Sequence, residues 1–504
     1  MEKGYYTLVI LIALGLLSYT TIYTFHSEYK LPFHSDEWDH LTYSLEILSK
    51  EKIVSYNPYL GPEFEDFNWE LNYYLLFVPI LLLTGLDPLK LAIFFPTITA
   101  FIMSLNAVLL VRHLTKNDIS GLLAGILVLT LKSNVTLLGP WFLVPMAYGL
   151  SQIPLILYLF TKFLEKNLKW IIPFGLVFAQ TTFVHAQTTT IFLPIFGVYL
   201  IMHPRTLWKN RWKILPLPLI GLLILMNFFP PAEQGANPEY FLKILEDTID
   251  RLSLTSDEPS GYNVYYYYPR FLGESTILFS LIGIFVLLSS GKQEQRILPI
   301  AILSLTPFVI QYYYTQTIFL SYYRRMFMYD AELLLMAAGV GLAVTYVFVW
   351  EKSKKYIQDD LDRLLAKALV TVLLGLFLYS QIQSTFEYEK MIYHIIEERD
   401  VSALKWMKEN TNENATVFAM AHISKAITPI AERRVIALTH SRLGAPQERN
   451  QDSGEFYVAD CERKKEILEK YKPDYVFHKG VITCSFLELA HSEQGNFIYK
   501  VDLG

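Results

Sequence analysis

Cysteine is nearly absent: of 504 residues, only Cys461 and Cys484 carry thiols. Neither sits in a CxxC pair or beside a histidine cluster, so the spacing that marks a zinc site is missing. If their region is exported, a disulfide between them fits; two solitary thiols fit equally well. Basic charge is also in short supply, with 43 Lys and Arg against 48 Asp and Glu and a formal net charge of -5. A phosphate backbone demands the opposite balance, so nucleic acid is not an expected partner. No internal repeat and no low-complexity tract stand out.

Apolar residues are abundant. They make up 52% of the chain, and aromatic residues 15%. They gather in runs long enough for the roughly 30 Å hydrocarbon core of a bilayer, which predicts a polytopic α-helical membrane protein. Residues 5–25 lack a small-residue cleavage site and read as a retained first helix rather than a signal peptide. Further runs lie near 89–111, 119–136, 143–160, 170–184, 186–202, 213–229, 271–290, 296–314, 328–350 and 366–384, about eleven spans in all. The run 71–83 is too short to count and is expected to lie along the membrane surface.

Charge orients the spans, because Lys and Arg concentrate in short cytoplasmic loops. With the N-terminus inside, the inner loops carry Arg112 and Lys116, then Lys162, Lys166 and Lys169, then Arg205, Lys209, Arg211 and Lys213, then Lys292 and Arg296, then Lys352, Lys354, Lys355 and Arg363. Outer loops then fall at 26–88 and 230–270, the first of them rich in acids. Residues 1–387 form the membrane domain under this reading, and 388–504 an extracytoplasmic soluble α/β domain. That domain is expected to hold helices near 401–409 and 462–471 and strands near 416–420, 434–438 and 474–477. The weak point is 170–202, where two short spans meet around His185 in a Gln/Thr-rich stretch. Read as one tilted helix, it would invert everything after it.

Several side chains in this frame are suited to chemistry. Asp36 and Glu37, in Phe33-His34-Ser35-Asp36-Glu37-Trp38-Asp39-His40, follow the first span directly. A carboxylate there can take a proton from a hydroxyl while a lipid-borne reactant approaches from the bilayer; acids capping a helix N-terminus are the plain alternative. Glu65, Asp66 and Glu70 precede the short apolar run, and Glu70 is closest to lipid, where acids are costly. Two such groups can orient an acceptor or share a divalent cation, or they are ordinary loop acids. Arg324 and Arg325 sit on an outer turn where positive charge is uncommon, and guanidinium groups bind phosphate bidentately; ion pairs with Asp330 or Glu332 are the alternative. His185 is a candidate phosphate neighbour, although a lone histidine is more often structural. Tyr268 and Arg270 close the second outer loop, where they can line a sugar or carrier site or simply belong to the interfacial aromatic belt. Asn134-Val135-Thr136 and Asn414-Ala415-Thr416 match the N-glycosylation pattern.

This layout resembles the GT-C superfamily of integral membrane glycosyltransferases, with the protein O-mannosyltransferase and aminoarabinose transferase subgroup nearest in pattern. Asp36-Glu37 matches that subgroup's early Asp-Glu, Glu65 or Glu70 its acid before the juxtamembrane helix, and Arg324 or Arg325 its late outer arginine. The stretch 403–411, followed by Glu432-Arg433-Arg434-Val435, is similar to the start of the outer domain in prokaryotic members, oligosaccharyltransferases included. The resemblance implies a polyprenyl-phosphate sugar donor, inverting transfer on the outer face of the plasma membrane, Asp36 as general base, and a lipid, glycan or protein acceptor. The Trp-Trp-Asp motif of oligosaccharyltransferases is absent, which argues against whole-glycan transfer to asparagine and for a single-sugar transferase. No acid occurs in 133–142, where many oligosaccharyltransferases have one, so Mg or Mn stays unassigned. A transporter or lipid flippase is the competing class; such proteins usually show internal repeats and mid-membrane charges, whereas the acids here gather in outer loops. Oligosaccharyltransferase-like transfer to protein is the second alternative.

Overall fold

The computed structural model describes every residue except 1, 27–28, 66–70, 135, 166–167, 205–266, 316–322, 357–359, 387–393 and 440–445. The span expected at 213–229 and nearly all of the loop 230–270 lie outside the described residues, as do Asp66 and Glu70.

In chain order the first helices are α1 (Glu2–Tyr23), α2 (Ser35–Lys50), α3 (Leu71–Thr84), α4 (Pro88–Thr115), α5 (Asp118–Val128), α6 (Pro145–Leu164), α7 (Ile171–Val184), α8 (Ala186–Thr190) and α9 (Phe192–Met202). Beyond the undescribed stretch come α10 (Tyr268–Leu272), α11 (Glu274–Ser289), α12 (Ile297–Thr315), α13 (Tyr323–Tyr356) and α14 (Asp360–Phe386). The last four are α15 (Glu398–Asn410), α16 (Ala421–Ala431), α17 (Gln447–Val458) and α18 (Cys461–Tyr471). The strands are β1 (Tyr56–Asn57), β2 (Gly61–Glu65), β3 (Thr416–Phe418), β4 (Arg434–Val435), β5 (Tyr475–His478), β6 (Leu487–Glu493) and β7 (Asn496–Val501). Two compact units result: Met1–Phe25 with Pro96–Trp141 and Pro145–Met391, and His26–Phe95 with Phe142–Val144 and Ile392–Gly504.

The first unit is made of apolar helices. Among the described residues of the whole chain, five helices are long and apolar enough to cross a bilayer: Val9–His26, Pro88–Thr115, Pro145–Leu164, Gln293–Thr315 and Tyr323–Ser353. Shorter apolar helices include Asp118–Val128, Ile171–Val184, Ala186–Met202 and Glu274–Ser289. Helix length by itself therefore gives fewer spans than the apolar runs do, and polar side chains explain two of the interruptions. The run 119–136 is helical only to Val128; Thr130, Lys132, Ser133 and Asn134 then follow, all buried. Asn134 Oδ1 accepts from the backbone N–H groups of Thr136 and Leu137, each at 2.8 Å, an Asx turn that replaces helical bonds. That engaged, buried side chain closes the first glycosylation pattern, whereas Asn414 is exposed. The second interruption falls at His185, where φ of -151° and ψ of 84° end α7.

Glycine sets how closely the membrane helices approach. A Cβ on Gly283 of α11 would lie 1.9 Å from the Ala337 carbonyl oxygen of α13, and one on Gly341 of α13 would lie 1.9 Å from the Phe279 carbonyl oxygen of α11. Gly339, two residues before Gly341, meets the backbone of Ala124 in α5. Small residues allow such backbone contact, and van der Waals packing is the main force joining helices in lipid.

In the second unit, β4, β3 and β5 are parallel, and β5, β7 and β6 are antiparallel, giving the order β4-β3-β5-β7-β6. Parallel neighbours require crossovers. α16 links β3 to β4, and α17 with α18 links β4 to β5. Phe418, Phe456, Leu468, Val476 and Tyr499 fill the core between sheet and helices. Cys461 and Cys484 form a disulfide. The hairpin of β6 and β7, absent from the sequence expectation, turns at Gln494 and Gly495, both at positive φ (48° and 84°), as a tight hairpin loop requires.

Gly341→Leu should drive α11 and α13 apart and lower stability by about 1–3 kcal/mol, the usual cost of overpacking. Thermal unfolding in detergent measures it, with Gly375→Leu as control, because a Cβ on Gly375 meets nothing within 4 Å.

Candidate functional site

The N-terminus of α2 is built from the sequence's acid cluster. His34 is the N-cap: its Nδ1 accepts from the Asp36 backbone N–H at 3.1 Å, and its own N–H donates to Glu37 Oε2 at 2.8 Å. These reciprocal bonds make a capping box, which satisfies helix-end donors that the α-helix leaves orphaned. Glu37 Oε1 accepts from the Leu143 N–H at 2.7 Å. Both Glu37 oxygens are thus engaged by main chain, and the residue is 1% exposed. Burial pushes its carboxyl up to about 7, against the pull of the N–H groups of Leu143, His34 and Phe33.

Asp36 has the opposite surroundings. Its side chain is 40% exposed, and the Ser35 hydroxyl donates to its Oδ1 at 3.3 Å. The His34 ring nitrogen 3.6 Å from Asp36 Oδ2 already accepts a backbone N–H, so that approach is not an ion pair. Of the two adjacent acids, Glu37 closes the helix end and Asp36 is half-buried.

Asp39, the third acid, pairs with Lys425 of α16: Nζ lies 2.6 Å from Oδ2, with the lysine side chain 0% and the aspartate 13% exposed. The Tyr59 hydroxyl donates to the other oxygen at 2.9 Å. Burial raises the Asp39 carboxyl to about 6, with Lys425 opposing. Sequence reading passed over Lys425; the signal was the one lysine of α16, Ala421–Ala431, which holds no acid. His40, also buried, packs its ring edge-on to Tyr73 at 4.9 Å, and burial lowers it to about 3, so it is neutral. Glu65 ends β2 opposite Tyr56.

In the other unit a polar chain runs through the helix break. His185 Nδ1 lies 2.7 Å from Thr188 Oγ1, which lies 3.2 Å from the Tyr329 hydroxyl. A Cβ on Gly149 of α6 would fall 2.1 Å from Thr188 Oγ1, so glycine is what admits this chain against α6. Arg325, one turn before Tyr329 on α13, is near enough for its charge to act on both His185 and Tyr329. Thr188 and Tyr329, which sequence reading passed over, are what His185 bonds into between the helices. Arg324 precedes Arg325 and is likewise half-buried. Tyr268 is occupied elsewhere: its hydroxyl donates to Asp330 Oδ2 at 2.5 Å, an oxygen that also accepts from Thr306 at 2.8 Å. Arg270 is exposed. Glu332 is fully buried, and neither of its oxygens has a hydrogen-bond partner among the described residues.

Among the described residues no three His, Cys, Asp or Glu side chains gather as a metal centre requires.

No family model matches the sequence, and no curated protein matches it either. Solved structures do match by shape. The oligosaccharyltransferase of Archaeoglobus fulgidus in its apo form aligns with a TM-score of 0.65 at 12% identity, over 95% of this chain and 70% of its own. ArnT from Cupriavidus metallidurans bound to undecaprenyl phosphate gives 0.64 at 10% identity, over 99% and 98%. The arabinofuranosyltransferase AftD from Mycobacteria gives 0.56 at 12% identity, over 99% of this chain and 40% of its own. At 10–12% identity the likeness is one of fold, and this chain shares the fold of these three proteins.

A carboxyl held near 7 when folded and 4.5 when unfolded keeps a proton that the unfolded chain releases, so it contributes stability below pH 4.5 that is lost as pH rises to about 7. The wild type should lose up to about 3 kcal/mol across that window relative to Glu37→Gln, which has no such slope. Melting temperatures of both proteins at pH 5 and pH 7.5 check it.

Proposed function

We propose that the protein is a membrane glycosyltransferase that moves a single sugar from a polyprenyl-phosphate carrier to an acceptor hydroxyl on the extracytoplasmic face. The observation that carries this reading is the divided acid pair at the head of α2, where Glu37 is consumed by the cap and Asp36 keeps an accessible carboxylate. Asp36 takes the acceptor's hydroxyl proton as general base. The freed oxygen attacks the anomeric carbon from the side opposite the carrier, forming the new glycosidic bond with inversion. The bond from carbon to phosphate oxygen breaks, and its electron pair leaves with the polyprenyl phosphate. Arg324 and Arg325 neutralise that phosphate, with His185 beside it. Supporting the choice of carrier, the ArnT structure holds undecaprenyl phosphate and one Archaeoglobus oligosaccharyltransferase structure holds a dolichol-phosphate.

The layout proposed is about eleven spans with a cytoplasmic N-terminus in the plasma membrane, an extracytoplasmic 388–504, and α3 along the interface. The Cys461–Cys484 disulfide supports an oxidising compartment for that region. Glu65, Asp66, Glu70, Tyr268 and Arg270 keep the roles at the acceptor and sugar that the sequence proposed for them, with Tyr268 acting through its bond to Asp330. No metal-dependent step is included. Transfer to protein is the second reading, favoured by the oligosaccharyltransferase likeness over 95% of the chain and opposed by the missing Trp-Trp-Asp motif.

Purified Asp36→Asn should retain donor binding and lose roughly 10²–10⁴-fold in turnover with polyprenyl-phosphate sugars, the contribution expected of a general base. Undiminished turnover would remove Asp36 from that role. Arg325→Ala should instead raise the donor KM, measured in the same assay.

A further inference from the structure

Asp36 lies one turn before Asp39 on α2, so whatever fixes the rotation of that helix also fixes where the Asp36 carboxylate points. Apolar packing is non-directional and sets rotation only loosely. The bond from Lys425 Nζ to Asp39 Oδ2, at 2.6 Å, is directional and buried, and it ties α2 to a helix 386 residues away in sequence. The second Asp39 oxygen is held by Tyr59, whose hydroxyl oxygen in turn accepts from Thr42 at 2.9 Å, so the brace returns to α2 one turn later. Lys425 itself is fully buried, where an unpaired ammonium would be costly. A buried pair of this kind is best understood as a device for register rather than for net stability.

We propose that Lys425, through Asp39 and Tyr59, is the positioning residue for Asp36: it touches no reactant and sets the orientation of α2 from the α/β sheet unit. The inference rests on Asp36 acting as the general base. Full-length protein in nanodiscs with a polyprenyl-phosphate sugar donor tests it through a double-mutant cycle of Asp36→Asn, Lys425→Met and the two combined, read as kcat and donor KM of monodisperse protein below its melting temperature. Lys425→Met should lower kcat at least tenfold with donor KM unchanged within twofold, and should cost less than twofold further when Asp36 is already Asn. Asp39→Asn breaks the same bond from the other side; it is expected to behave alike and carries the cycle if Lys425→Met fails to fold. Equal losses with and without Asp36, or wild-type kcat in Lys425→Met or Asp39→Asn, would overturn the positioning role and leave the base reading intact. Undiminished turnover in Asp36→Asn would overturn the base reading and this inference with it.

Discussion

The closed N-terminus of α2 is the constraint on which the candidate chemistry depends. A helix end presents N–H groups that the helix cannot satisfy, and here His34 and Glu37 satisfy them reciprocally while Glu37 also takes the Leu143 N–H. This arrangement fixes the fates of three acids within four residues. Glu37 accepts main-chain donors on both oxygens, Asp39 becomes half of a buried charge pair, and the Asp36 side chain stays 40% exposed. Helical phase separates Glu37 from Asp36, whereas Asp39, one turn after Asp36, is set apart by its Lys425 partner.

The membrane unit follows a different rule. With no water to drive apolar surfaces together, its helices approach through glycine, and polar groups collect where helices break. His185 marks one such break and joins Thr188 and Tyr329 in a chain beside Arg325. Glu332, with both oxygens unpartnered among the described residues, is the least satisfied acid of α13, and intramembrane acids of that kind are functional candidates by default.

Much of this was legible in the sequence, and the limits are physical. Apolar runs found the long helices because hydropathy over some twenty residues is a strong signal. The Gln/Thr stretch around His185 foretold the break between α7 and α8. The end of α5 at Val128 was missed because Leu129 and Leu131 continue the apolar run, while the backbone there obeys Asn134. β6 escaped because its residues are mostly solvent-facing and show little alternation. Asp36 and Glu37 were found as a pair, yet the burial of Glu37 against main chain depends on the Leu143 N–H, 106 residues away from Glu37. The pairing of Lys425 with Asp39 was unreadable for the same reason, since the two lie 386 residues apart.

The proposed reaction requires Asp36 and Arg324 to lie on the same, non-cytosolic side of the membrane. The chain's two native cysteines are joined to each other, so one introduced cysteine provides a single free thiol. Impermeant maleimide applied to intact cells or sealed right-side-out vesicles should label both Asp36→Cys and Arg324→Cys from outside. Labelling of one only after the membrane is opened would place the two on opposite faces and contradict the account.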